Sequence, residues 1–133
     1  MLFRSKALTK EGFRITGTCV YTPLQAYLAI ESGAEYVAPY VDRIDNMGYD
    51  GVRVVKEIQD IIDSNGYSAK VLAASFKNSQ QVLELCAYGI DSATCVPSVI
   101  DNFTNSTAIL DAVEKFRSDF EKAAGHGRTM ADL

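Results

Sequence analysis

Basic side chains are few and scattered in this sequence. The 133 residues include 13 Lys and Arg against 17 Asp and Glu, which gives a net charge of −4. Nucleic-acid and anionic membrane surfaces select clusters of basic residues, and no stretch of the chain supplies one. The apolar runs are also far shorter than the roughly 20 residues that a membrane-spanning helix needs. We therefore expect neither a nucleic-acid partner nor a membrane partner.

Histidine and cysteine, the common ligands of zinc, are almost missing. The one histidine, His126, lies in a glycine-flanked tail, and the three cysteines, Cys19, Cys86 and Cys95, are widely spaced among apolar neighbours. A zinc site needs ligands that are paired at short spacing. The pattern therefore predicts no metal site and favours three reduced, mostly buried thiols, as in a cytoplasmic protein.

Two further signals are missing. The first ten residues carry Arg4, Lys6 and Lys10 without the long apolar segment of a signal peptide. Neither a phosphate-loop motif nor a G-x-G-x-x-G motif follows the first apolar segment, so no nucleotide cofactor is indicated. We expect a cytoplasmic protein with no cofactor.

What the sequence does contain is a regular alternation of short apolar segments and amphipathic segments. Apolar and β-branched residues indicate strands, which we predict at residues 14–20, 36–41, 70–76 and 92–96. Between them, Thr22 and Pro23 begin a helix, and Asn65-Gly66 ends a longer one. We expect one domain over residues 1–133.

The last predicted helix covers residues 106–124, with Ser106 as its cap. Ile109, Val113, Phe116 and Phe120 recur along it at helical spacing. This long C-terminal helix follows four strand–helix units, which is typical of parallel strands joined by right-handed crossovers. Periodicity leaves two α/β architectures open: an open four-stranded doubly wound sheet, or half of an eight-stranded TIM barrel.

Three segments carry a family resemblance. TGTCVY at residues 16–21, SGAEYVAPYVDRID at residues 32–45 and KVLAASFK at residues 70–77 resemble strands five, six and seven of the transaldolase family. The subgroup that they resemble most is the fructose-6-phosphate aldolases. The resemblance implies the C-terminal half of a TIM (β/α)8 barrel. It also implies Schiff-base aldol cleavage or transfer on sugar phosphates, in carbohydrate metabolism and the pentose phosphate reactions.

The resemblance also implies roles for five residues. Thr18 matches the threonine near the catalytic water, and Tyr40 matches a tyrosine that distinguishes the aldolases from transaldolases, which usually have phenylalanine there. Arg43 and Ser75 match residues that bind the substrate phosphate, and Ala38 matches a small residue beside the substrate. These assignments suit the chemistry, because guanidinium binds phosphate by charge-assisted hydrogen bonds and hydroxyls can hold a proton-shuttling water.

Each assignment has an alternative reading from the residues alone. Arg43 and Asp45 could form an ordinary ion pair at a strand end, Tyr40 could be a core aromatic, and Thr18 and Ser75 could serve strand packing. Alternation along the strands nevertheless predicts three sets of side chains that share the face of the site: Thr16, Thr18 and Val20; Tyr36, Ala38 and Tyr40; and Val71, Ala73 and Ser75.

The family's Schiff-base lysine belongs to strand four, whereas the matched segments begin after it. Lys70 is expected at the bottom of its strand. Lys77 is expected just past the top of the same strand, as a phosphate contact or a solvated surface residue. We therefore expect a truncated chain that is inactive alone.

Three functional classes stay open for the chain. It could be part of an aldolase or transaldolase, a non-catalytic protein that binds sugar phosphate, or a self-assembling structural module. Half a barrel exposes inward side chains at a cost on the order of 10 kcal/mol and leaves bare strand edges. We therefore expect a homo-oligomer, with a sugar phosphate as the small-molecule partner.

Overall fold

The computed structural model of the chain describes residues 2–132, so the predicted domain's end residues, 1 and 133, lie outside the described part. Four parallel strands alternate with helices and pair in the order β1-β2-β3-β4. The elements are α1 (Leu2–Lys10), β1 (Thr16–Val20), α2 (Pro23–Glu31), β2 (Tyr36–Pro39), α3 (Val41–Asp45), α4 (Gly51–Asn65), β3 (Lys70–Ala73), α5 (Ser79–Tyr88), β4 (Ser92–Ala93), α6 (Pro97–Asp101) and α7 (Thr107–Ala124). This α/β arrangement is part of a TIM barrel.

The helix ends follow from local capping. The Thr22 hydroxyl accepts a hydrogen bond from the Gln25 N–H, and Pro23 occupies the first turn of α2, where no N–H is needed. The Asp50 carboxylate caps α4 in the same way by accepting from the Arg53 N–H. Gly66 ends that helix with a φ of 65°, a left-handed conformation that glycine adopts without strain.

The hydrophobic core lies between the sheet and the helices α2, α4 and α5. Val37 and Val71 are fully buried on the covered face of the sheet, and Val55, Ile58 and Leu85 meet them from the helices. Gly17 lies on this face, where an added Cβ would come within 3.0 Å of the Ala29 Cβ of α2. The missing side chain therefore lets α2 approach β1 closely.

A bulge in β1 corrects the predicted alternation. Thr18 pairs with Ala38, but Val20 pairs with Pro39, so Cys19 is the extra residue, with a φ of 57°. The bulge turns Val20 to the covered face, where it is 3% exposed. The prediction that Val20 shares the face of Thr16 and Thr18 is wrong for this reason.

The face predicted for β3 is also wrong. Paired residues of parallel strands point to the same side, and Val71 pairs with the fully buried Val37. Val71 and Ala73 therefore lie on the covered face, while Leu72 and Ala74 share the open face with Tyr40, which bridges to Ala74.

The observed strands are shorter than those predicted. The sequence placed strands at 14–20, 36–41, 70–76 and 92–96, whereas the observed strands are Thr16–Val20, Tyr36–Pro39, Lys70–Ala73 and Ser92–Ala93. Val41, predicted as the last residue of the second strand, is instead the first residue of α3 and is fully buried.

The prediction of mostly buried thiols is wrong for two of the three cysteines. Cys19 is exposed on its bulge, Cys86 is exposed on α5, and Cys95 is half-buried. Burial raises the pKa of the Cys95 thiol above its ordinary value.

The described residues form two compact units, one up to Ile100 and one from Asp101 onward. The second unit contains α7, which begins one residue after the predicted cap, although the Ser106 side chain makes no capping hydrogen bond. The predicted single domain stays a prediction. Within residues 2–132, none of the helices is both long enough and apolar enough to cross a membrane.

Candidate functional site

The polar residues predicted for the site meet where β1, β2 and β3 end. Thr18 lies near the end of β1, Tyr40 directly follows β2, and Arg43 lies one turn into α3. Ser75 lies in the loop between β3 and α5. Carboxyl ends of parallel barrel strands form one rim, which is where barrel enzymes build their sites.

Thr18 and Tyr40 are in direct contact. Their hydroxyl oxygens are 3.0 Å apart, and either group can donate the hydrogen bond. Thr18 is exposed and Tyr40 is half-buried, so both hydroxyls remain within reach of solvent. Ala38, which pairs with Thr18 and is 5% exposed, lies on the same face of the sheet. This pair can hold a water molecule or pass a proton between two oxygens.

Tyr40 also supports Arg43. The guanidinium carbon of Arg43 lies 4.6 Å from the centre of the Tyr40 ring, as in a cation–π interaction. The Tyr21 ring contacts the Tyr40 ring edge-on, with the ring centres 6.0 Å apart. Interaction with the Tyr21 side chain is the main cause that raises the pKa of Arg43 above its ordinary value. The exposed guanidinium is therefore charged and lies against the Tyr40 ring.

Ser75 is anchored through its backbone to α3, the helix that carries Arg43. The residue has a φ of 60°, which is rare for a residue with a side chain, and its carbonyl oxygen accepts a hydrogen bond of 2.8 Å from the Asp42 N–H. The neighbouring Ala74 carbonyl accepts from the Val41 N–H at 2.9 Å. The loop that carries Ser75 is thus held against the start of α3, which carries Arg43.

The alternative ion pair between Arg43 and Asp45 does not form. The Asp45 carboxylate instead accepts hydrogen bonds from the Gly51 N–H at 2.7 Å and from the Gln81 side-chain amide at 2.6 Å. Among the described residues Arg43 takes part in no salt bridge, so its charge is available to an anion.

The two lysines considered for the site, Lys70 and Lys77, lie toward opposite ends of β3. Lys70, its first residue, pairs with Tyr36, whereas Tyr40 bridges to Ala74 four residues further on. Four strand residues separate Lys70 from the rim by about 13 Å. Lys77 lies past the other end of the strand and is exposed.

A cavity of about 440 Å³ lies between β1 and α2, and Thr18 is among its lining residues. Thr16, Thr18 and Cys19 line it from the strand, and Gln25 and Leu28 line it from α2. Within residues 2–132, no three His, Cys, Asp or Glu side chains gather as a metal site would require.

Sequence reasoning missed three residues of this neighbourhood: Tyr21, Asp45 as a hydrogen-bond acceptor, and Gln81. Asn78 and Gln81 have the spacing of a capping box, a signal that was present. The contact of Tyr21 with Tyr40 depends on the Cys19 bulge, for which the sequence carries no signal.

Solved structures with a similar fold include three crystal structures of mandelate oxidase variants. Each matches with a TM-score of 0.53 and 14% sequence identity over 71% of this chain. The chain spans only 29% of two of those chains and 31% of the third. At this identity the likeness concerns the fold alone.

The family model described as transaldolase/fructose-6-phosphate aldolase matches residues 4–132, which is nearly the whole chain. The matched range includes every strand and the entire rim. The chain therefore belongs to the transaldolase/fructose-6-phosphate aldolase family.

Proposed function

We propose that this chain supplies the phosphate-binding and proton-handling part of a Schiff-base site of the fructose-6-phosphate aldolase type. One observation carries the proposal: Tyr40 joins the Thr18 hydroxyl, at 3.0 Å, to the Arg43 guanidinium, 4.6 Å from its ring. A hydroxyl pair and a free cation on one rim suit a substrate that carries both a carbonyl chain and a phosphate.

Arg43 is the phosphate ligand of this proposal, with Ser75 beside it. A guanidinium binds phosphate through paired charge-assisted hydrogen bonds. The backbone contact between Ser75 and Asp42 keeps the loop that carries Ser75 next to α3. Ala38, which pairs with Thr18 in the sheet and is 5% exposed, is small enough to leave room for a sugar chain beside the hydroxyl pair.

Thr18 and Tyr40 handle the proton. A lysine amine condenses with the ketose carbonyl and releases water. The iminium then accepts the electron pair of the breaking C–C bond while a base takes the proton of the neighbouring hydroxyl. Tyr40, in place of the phenylalanine usual in transaldolases, favours cleavage of the aldolase type.

The lysine of this chemistry comes from outside the strands described here. Lys70 is the one lysine within β1 to β4, and it lies about 13 Å from the rim. A companion chain, or a further part of the same protein, would supply the amine. Borohydride with fructose 6-phosphate, read by intact mass, should therefore give no covalent adduct with this chain, whereas a full-length relative should give one. An adduct on Lys77 or Lys70 would contradict this division of roles.

Phosphate binding is tested separately from turnover. Fructose 6-phosphate and inorganic phosphate should raise the melting temperature of the chain, and Arg43→Ala should abolish that shift. Arg53→Ala removes the same charge from an exposed position on α4, where Arg53 pairs with Glu57, and should keep the shift. Equal shifts in both variants would remove Arg43 from the site.

A non-catalytic role is the second candidate. The retained hydroxyl pair and Arg43 would then bind sugar phosphate without turnover, and phosphate-dependent stabilisation with no activity beside any companion chain would support it. A structural module is favoured instead by α7, whose Ile109, Leu110, Val113 and Phe116 are each at least 50% exposed.

We expect the assembled protein to be a homo-oligomer, because the exposed apolar side chains of α7 lose contact with water on association. The expected compartment is the cytoplasm. Native mass measurements should give more than one copy. A monomer that unfolds cooperatively would contradict the expectation.

A further inference from the structure

The Asp45 carboxylate connects three elements near the rim. One oxygen accepts a hydrogen bond of 2.7 Å from the Gly51 N–H at the start of α4. The other accepts a bond of 2.6 Å from the side-chain amide of Gln81 on α5. Asp45 itself ends α3, the helix that carries Arg43. A charged acceptor with two short bonds holds these elements in one arrangement.

The other end of the Gln81 side-chain amide reaches the loop from Ser75 to Asn78. Its carbonyl oxygen accepts hydrogen bonds from the Lys77 N–H at 2.8 Å and from the Asn78 N–H at 3.4 Å. The Gln81 N–H in turn donates to the Asn78 side chain at 3.0 Å. Gln81 is only 8% exposed, so an amide group without partners there would be costly.

Asp45 and Gln81 together therefore form a bridge between α3 and the loop from Ser75 to Asn78. The donor end of the amide holds α3 and the acceptor end holds the loop. The backbone bond from Asp42 to Ser75 crosses the same gap at 2.8 Å. The two elements that carry Arg43 and Ser75 are fixed to each other at two places.

We propose that Asp45 and Gln81 are positioning residues, which hold the Ser75 loop and Arg43 at the separation that a phosphate group needs. The inference rests on the proposed function, since it concerns the same site. Neither residue touches the ligand: each acts through the elements that it joins.

An exchange of the two side chains tests the bridge. In Gln81→Glu two carboxylates would face each other at the 2.6 Å contact, and in Asp45→Asn two amide donors would do so. The double variant, Asp45→Asn with Gln81→Glu, restores the pattern: the asparagine amide donates to the glutamate, whose second oxygen still accepts from the Lys77 N–H. The net charge of the double variant equals that of the parent.

The affinity for inorganic phosphate and for fructose 6-phosphate should follow this pattern. Each single variant should bind about tenfold more weakly or worse, and the double variant should recover most of the loss. Should Gln81→Glu not fold, Asp45→Asn and the double variant carry the comparison. A double variant that binds no better than Asp45→Asn would overturn the proposal.

Two control variants separate positioning from mere stability. Gln80→Glu makes the same change on the next residue of α5, whose side chain is exposed and bonds to Glu84 at 3.1 Å. Val82→Ala removes apolar contacts from a buried residue of the same helix. Both should keep the parent affinity although Val82→Ala melts earlier. If Val82→Ala weakens phosphate binding as much as Asp45→Asn, the bridge is only structural.

Hydrogen exchange of the Lys77 and Asn78 amides reads the bridge without any ligand. Exchange at both amides should quicken in the single variants, relative to the core, and slow again in the double variant. Unchanged exchange together with normal phosphate binding would overturn this inference alone. If the parent chain binds no phosphate, the proposed function fails, and with it the positioning role, even where the exchange pattern shows that the bridge holds the loop.

Discussion

The hydroxyl groups of Thr18 and Tyr40 lie 3.0 Å apart, one near the end of β1 and one directly after β2. The contact is possible because Thr18 and Tyr40 lie on the same open face of the sheet, on neighbouring strands. The same Tyr40 ring lies 4.6 Å from the Arg43 guanidinium. One residue therefore serves two parts of the site, through its hydroxyl and through its ring.

These two contacts of Tyr40 can be separated by substitution. Tyr40→Phe keeps the ring beneath Arg43, so we expect phosphate affinity within about twofold of the parent. Tyr40→Ala removes the ring as well and should weaken phosphate binding roughly three- to fivefold, in line with an exposed cation–π interaction. Calorimetric titration with inorganic phosphate measures both variants.

The control for Tyr40 is Tyr49→Ala, which removes an aromatic ring that is 64% exposed and should leave phosphate affinity unchanged. Equal losses in Tyr40→Phe and Tyr40→Ala would mean that the hydroxyl, and not the ring, supports the anion site. In a complete active site, Tyr40→Phe should reduce aldol cleavage while substrate binding persists.

Local signals in the sequence predicted the helices α2, α4 and α7, although not the short α3. Val52, Val55, Ile58 and Ile62 recur at helical spacing in the sequence of α4, and all four are buried in the structure. Helix caps depend on neighbouring residues alone, which is why Thr22 and Gly66 identified the ends of α2 and α4.

The strand faces were harder to predict, because the causes are not local. KVLAASF at residues 70–76 is apolar on both faces, so alternation cannot choose the covered side. The Cys19 bulge places a residue with a side chain in a left-handed conformation, which the sequence does not signal. The bridge from Asp45 to Gln81 joins residues 36 positions apart and becomes visible only when α3 and α5 are packed together.

Gly51 is required by the close approach of α4 to α3. An added Cβ would lie far inside van der Waals contact with the Val41 carbonyl oxygen and 3.0 Å from an Asp45 carboxylate oxygen. Gly51→Ala should therefore lower the free energy of unfolding by about 3 kcal/mol, since backbone must move. It should also weaken the hydrogen bond from the Gly51 N–H to Asp45. Urea unfolding with circular dichroism measures the change.

A graded comparison is available at Gly17, where the added Cβ would meet the Ala29 side chain at 3.0 Å. Gly17→Ala should cost about 1 kcal/mol, and the double variant with Ala29→Gly should cost less than the sum of the two single variants, because the clash is removed. A Gly51→Ala protein as stable as the parent would show that α3 and α4 can separate without cost.

The Glu35 carboxylate has a depressed pKa because Arg14 donates two hydrogen bonds to it. A carboxylate whose pKa is lower in the folded than in the unfolded protein stabilises the fold at pH values above the unfolded pKa. This contribution is lost as the pH falls through the folded pKa. Arg14→Gln should raise the pKa of Glu35 toward its ordinary value, as followed by NMR titration of the carboxyl carbon. Arg53→Gln, on the exposed face of α4, should leave the pKa of Glu35 unchanged. No difference between the two variants would show that Arg14 and Glu35 do not pair in solution.

The three cysteines should react with alkylating reagents in a definite order. Cys19 and Cys86 are exposed, whereas Cys95 is half-buried and its thiol has a pKa raised first by burial. Since the thiolate is the reactive form, a raised pKa leaves less of it at pH 8, and Cys95 should be the last to react with iodoacetamide. Peptide mass mapping at successive times measures the order.

In urea all three cysteines should react at similar rates, because the differences come from the fold. Early labelling of Cys95 in the native protein would mean that the region between β4 and α6 opens readily. If phosphate binds the rim as proposed, it should also slow the alkylation of Cys19, which is exposed on the β1 bulge directly after Thr18.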